Sequence, residues 1–103
     1  MNELVSALTA TGYPFAHFAW SRAPAGDYGT YSEDGENRLA GDDRSAEKAL
    51  VVYVDLFTRD DGATPRETIE AALDGIRCAW YLNTVQYEDQ TRYIHYEWIA
   101  EVP

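Results

Sequence analysis

Lys48–Leu73 reads KALVVYVDLFTRDDGATPRETIEAAL, and its strand, turn and helix signals all agree. Lys48–Thr58 holds eleven residues rich in Val, Leu, Tyr and Phe, with neither Pro nor Gly, and reads as a strand. Leu50, Val52, Val54 and Leu56 fall on one aliphatic face. Val51, Tyr53, Asp55 and Phe57 fall on the other, with a single charge among them. A strand apolar on nearly both faces belongs in the middle of its sheet, with a neighbour on each side. Asp60-Asp61-Gly62 supplies a turn. Thr64-Pro65-Arg66-Glu67 reads as a capping box, with Thr64 at the N-cap and Pro65 at the first helical position. Ile69, Ala72, Leu73 and Ile76 continue at helical spacing and form one apolar stripe. A central strand therefore feeds a helix that packs back onto its sheet.

Working outward, Asn2–Ala10 is predicted as a short helix capped by Asn2, with Glu3 in its first turn and Leu4, Val5 and Leu8 on one face. Gly12 ends it, and Tyr13-Pro14 forbids continuation. Phe15–Trp20 and Tyr28–Glu33 read as strands, the second weakened by Gly29, with Arg22–Gly26 as connector. Cys78–Glu88 and Thr91–Val102 read as a hairpin turning at Glu88-Asp89-Gln90. In its second arm Ile94, Tyr96, Trp98, Ala100 and Val102 face one way. Thr91, Tyr93, His95, Glu97, Ile99 and Glu101 face the other. The order is α-β-β-β-α-β-β. It predicts one α+β domain over residues 1–103, with a mostly antiparallel sheet of four to five strands and both helices on one face. The opposite face, half apolar, and the sheet edges invite self-association.

Composition narrows the function. The chain has 103 residues and carries 18 acids against 8 bases, a net charge of −10. Only one of the bases, Lys48, is a lysine. Direct nucleic-acid recognition needs cations to neutralise phosphates, so it is disfavoured. The acidity serves solubility, repulsion of DNA from a surface that it passes, or mimicry of DNA. Eight Tyr and three Trp suit a pleated sheet, and they also suit a protein interface. Cys78 is the only cysteine, which leaves no internal disulfide and fits a reducing compartment. No signal peptide or membrane-spanning run is expected.

Ser32–Glu47, SEDGENRLAGDDRSAE, concentrates six acids: Glu33, Asp34, Glu36, Asp42, Asp43 and Glu47. Their spacing does not follow a calcium-binding loop, so no metal is expected. Leu39 is the residue that would pin the middle of this segment. His17 and His95 lie on separate strands, and no phosphate loop, zinc cluster or nucleophile elbow is present. His95, Glu97 and Tyr93 form at least a polar patch on one strand face. Asp55, set in a largely apolar face, needs a partner such as an Arg if it is buried. The chain reads as a protein that is not an enzyme and has no cofactor.

Four features taken together resemble the small tail-completion or tail-terminator proteins of long-tailed bacteriophages. They are the N-terminal helix followed by YPFAHFAW, the acidic Gly-containing segment leading into ALVVYVDLFTRDD, the helix PRETIEAALD, and the terminal hairpin with Tyr87-Glu88 before its turn and Tyr93–Val102 after it. The resemblance lies in element order and residue character over nearly the whole chain.

The resemblance implies a virion structural protein at the head-tail junction. By that resemblance the subunit is expected to assemble with copies of itself as a ring, a hexamer. The ring caps the tail tube, meets the head-completion proteins and passes DNA as cargo. It implies no membrane partner. The acids Glu33, Asp34, Glu36, Asp42 and Asp43 are then candidates for a bore that repels DNA. Leu4, Trp80, Tyr81, Tyr87, Tyr93, His95 and Glu97 are candidates for protein interfaces. A head-side adaptor of the same virion and an acidic DNA-mimic inhibitor are the alternatives.

Overall fold

In the computed structural model, residues 1–34 and 49–103 are described. The elements in order are α1 (Asn2–Ala10), β1 (Phe15–His17), β2 (Tyr28–Glu33), β3 (Leu50–Thr58), α2 (Thr64–Asp74), β4 (Ala79–Tyr87) and β5 (Ile94–Val102). The fold is α+β, as expected. Its single sheet has the order β1-β2-β3-β5-β4, so β3 is the middle strand. β1 runs parallel to β2, and every other pairing is antiparallel.

The register carries alternate residues of β3 onto the helix-bearing face. Val52, Val54 and Leu56 are fully buried there, beside Trp98, Ala100 and Tyr96 of β5. Leu4 and Leu8 of α1 and Ile69 and Leu73 of α2 close over them, so both helices cover the same face. Each of these fully buried aliphatic side chains contributes about 1.5–3 kcal/mol by leaving water. Trp98 is buried with its indole N–H donating to Glu70 Oε2 at 2.9 Å, and Glu70 also accepts from Arg66 Nε at 2.9 Å. The Glu70 carboxylate, as acceptor, satisfies the one polar side-chain atom that Trp98 brings into the core.

Gly29, which weakens β2 as a sequence signal, is required by packing. A Cβ there would collide with the Phe15 ring and lie 2.6 Å from the main-chain oxygen of Asp55. The small residue lets the Phe15 ring lie over β2.

Three local expectations are corrected. The capping box does not form: Ala63 is the N-cap of α2, and no side chain caps the first turn. Thr64 is already helical, so its hydroxyl cannot turn back to the N–H of Glu67, which bonds the Ala63 carbonyl at 3.0 Å. For the same reason Met1 rather than Asn2 caps α1. The strand expected over Phe15–Trp20 stops at His17, because Phe18 takes a left-handed φ of 68° that takes it out of the ladder. Beyond it, the indole N–H of Trp20 donates to the Gly29 carbonyl at 2.9 Å.

Candidate interaction surfaces

The face opposite the helices carries Thr30 of β2, Tyr53, Asp55 and Phe57 of β3, His95, Glu97 and Ile99 of β5, and Tyr81, Thr84 and Gln86 of β4. A polar cluster sits at its centre. His95 Nε2 lies 2.7 Å from Asp55 Oδ1, and its Nδ1 lies 3.9 Å from Glu88 Oε2. The hydrogen bond to Asp55 raises the His95 pKa above the ordinary imidazole value. The partner that Asp55 needs is thus a histidine on the next strand, not an arginine. Glu97 stands directly across from Asp55 in the β3–β5 register and accepts from Asn83 Nδ2 at 3.0 Å. Desolvation raises the Glu97 carboxyl pKa; the bond from Asn83 opposes this, and the Asp55 charge adds to it. Like charges directly opposite in a sheet repel, and His95 offsets part of that repulsion. The cluster is self-satisfied, and among the described residues no group of three or more His, Cys, Asp or Glu could hold a metal ion.

An aromatic cluster adjoins it. Phe57 stacks on Tyr28 at 4.8 Å and on His95 at 4.1 Å, and Tyr93 meets both Tyr28 and Phe57 edge-on. The Arg59 guanidinium lies 4.0 Å from the centre of the Tyr93 ring. The Tyr93 hydroxyl donates to the carbonyls of Ala25 and Gly26. Tyr93 is therefore buried and braces the connector before β2, so it offers no surface. Leu4 is withdrawn in the same way, being fully buried in the core. Trp80 is half-buried and donates its indole N–H to Asp74 Oδ1 at 2.8 Å.

Tyr81 and Tyr87 remain on the surface. Among the described residues, the large apolar side chains left exposed are Phe18 at 58%, Tyr81 at 56%, Val85 at 50% and Tyr87 at 60%. Phe18 follows β1 at one edge of the sheet, and the other three stand on β4 at the opposite edge. No family model matches this chain, and no curated protein does.

Of the bore candidates, Glu33 ends β2 and Asp34 follows it. His17 Nε2 lies 2.6 Å from Glu33 Oε1, and that hydrogen bond holds the Glu33 carboxyl below the usual carboxylate range. The Tyr53 hydroxyl donates to Asp34 Oδ2 at 3.1 Å, which raises the Tyr53 pKa. Glu36, Asp42 and Asp43, with the suggested anchor Leu39, lie outside the described residues. A depression of about 440 Å³ between α1 and α2 is lined chiefly by small side chains, Ala7, Ala10, Ala71 and Ala72 among them. Its polar side chains are the hydroxyls of Thr11 and Thr68, and no charged side chain is among the described residues that line it.

Sequence reasoning missed Phe18, Val85 and the Asp55–His95 pair. Phe18 and Val85 were legible as apolar residues near strand ends. The pair depends on β3 and β5 being neighbours, which residue types alone do not specify.

Proposed function

We propose that this chain is an assembly subunit without catalytic activity, and specifically a ring-forming tail terminator that caps a phage tail tube and joins it to the head. One observation carries the reading: exposed large apolar side chains stand at the two opposite edges of one sheet. A closed ring is built by a heterologous contact, in which two different patches of neighbouring subunits meet. Phe18 at the β1 edge and Tyr81, Val85 and Tyr87 at the β4 edge are such a pair of patches. The net charge of −10 suits a bore that DNA crosses without sticking. The order of elements and the character of their residues, which resemble that family, supply the tail-specific part of the proposal.

Electron microscopy of tail-tube subunits polymerised with and without this protein tests it. The expected result is shorter tubes that carry a ring at one end. Tubes of unchanged length with bare ends would overturn the reading.

A further inference from the structure

The outer edge of β4 pairs with no described strand. It is nine residues, AWYLNTVQY, or about 30 Å of main chain that no described strand pairs. Natural edge strands are usually guarded by charge, proline or brevity. β4 has none of these; the one such device that it carries is a bulge at Asn83. Every other described strand carries an imidazole or a carboxylate: His17 on β1, Glu33 on β2, Asp55 on β3, and His95, Glu97 and Glu101 on β5. β1 is equally free of acids but is only three residues long, so β4 is the long edge on which a second copy of a −10 chain meets least repulsion.

We propose that two copies of this chain pair antiparallel through β4, around a two-fold axis level with Leu82 and Asn83. A bulge at Asn83 fixes the register. Before it, Tyr81 opposes Ile99 on the open face and Trp80 opposes Ala100 on the helix-bearing face. After it the alternation inverts: Thr84 opposes Glu97 on the open face, and Val85 opposes Tyr96 on the other. Antiparallel pairing of identical strands must match faces. Placing Tyr81 against Thr84 of the second copy, and Trp80 against Val85 of the second copy, does so on either side of the bulge and overlaps the strands from Ala79 to Gln86, with Leu82 and Asn83 at the axis. The Trp80–Val85 contact is an aromatic–β-branched cross-strand pair, a stabilising kind, and it covers side chains now open to water. The same register carries Arg77 to Glu88 of the second copy. Arg77 is exposed and has no ion-pair partner among the described residues. The charges flanking the neutral strand are thus complementary to themselves under the two-fold.

This contact goes beyond the ring and does not rest on it. A two-fold pair closes on itself, so a subunit entering a ring releases it, and the pair keeps the β4 edge covered until then.

Sedimentation velocity over a micromolar-to-millimolar concentration series tests the proposal. The expected result is a reversible monomer–dimer equilibrium. Val85→Lys abolishes the dimer while its circular dichroism stays that of the parent, since Val85 lies outside the core. Arg77→Glu and Glu88→Arg each raise the dissociation constant at least about fivefold, because each acts twice in the pair. The double variant returns to the parental value. A chain that is monomeric throughout overturns the proposal, as does a dimer indifferent to Val85→Lys. Charge reversals that add rather than compensate overturn the register. Tube capping by a chain that never dimerises would leave the ring reading standing and this one refuted.

Discussion

His95 Nε2 sits 2.7 Å from Asp55 Oδ1 and joins β5 to β3 across the open face of the sheet. Asp55, Glu88 and Glu97 all add negative potential around the imidazole, while burial opposes its charge. The bond to Asp55 prevails, so the folded chain holds the His95 proton more tightly than the unfolded chain does. A raised pKa stabilises the fold fully below the unfolded value of 6.5, and that contribution is lost as pH rises through the folded value. NMR titration of the imidazole is expected to show a midpoint above 6.5 in the parent and a lower one in Asp55→Asn.

Glu97 obeys the same sign for a different cause. Desolvation and the facing Asp55 favour its protonated form, so folding loses stability as pH rises from 4.5 through the raised Glu97 value. Glu97→Gln keeps an acceptor for Asn83 and removes one of two facing charges. It is expected to stabilise the chain by about 0.2–1 kcal/mol at pH above that transition. Below the transition the gain should vanish. Urea unfolding of both proteins across the pH range checks it.

Gly29→Ala places a methyl group against the Phe15 ring and 2.6 Å from the Asp55 carbonyl oxygen. Overpacking of this kind costs about 1–3 kcal/mol. Phe15→Leu in the same chain relieves the ring contact but leaves the main-chain contact. Thermal unfolding should therefore show only partial rescue by the double substitution.

Trp98→Phe removes the donor to Glu70 from the middle of the core. Hydrogen bonds to charged groups contribute about 1.5–3 kcal/mol, and the smaller ring adds a cavity. A loss of at least about 1.5 kcal/mol is expected in urea unfolding. Removing the carboxylate as well, in Trp98→Phe with Glu70→Gln, should cost less than the two single losses added together.

The architecture was legible where patterns are long. The nine residues of β3 and the nine of β5 show which faces are buried, because alternation over that length has only one solution. The two helices were legible from Leu4, Leu8, Ile69 and Leu73. Caps were not: Thr64 and Asn2 have the right chemistry, but each helix begins one residue earlier, and a one-residue shift turns the side chain away. β1 was over-extended because Phe18, a good strand residue by type, takes a left-handed φ of 68°. Tyr93 alternates correctly as a surface residue, yet its hydroxyl finds Ala25 and Gly26, nearly seventy positions earlier. The surfaces were legible only in part. Exposure at Tyr81 and Tyr87 depends on β4 being an edge, and sheet order comes from long-range pairing that the hairpin pattern leaves open.

Cryo-electron microscopy of tube ends assembled with this protein tests the central claim most directly. The account predicts a closed ring in which Phe18 of each subunit meets the Tyr81, Val85 and Tyr87 edge of the next. Tube ends without a ring, or a ring in which both sheet edges face solvent, would contradict it.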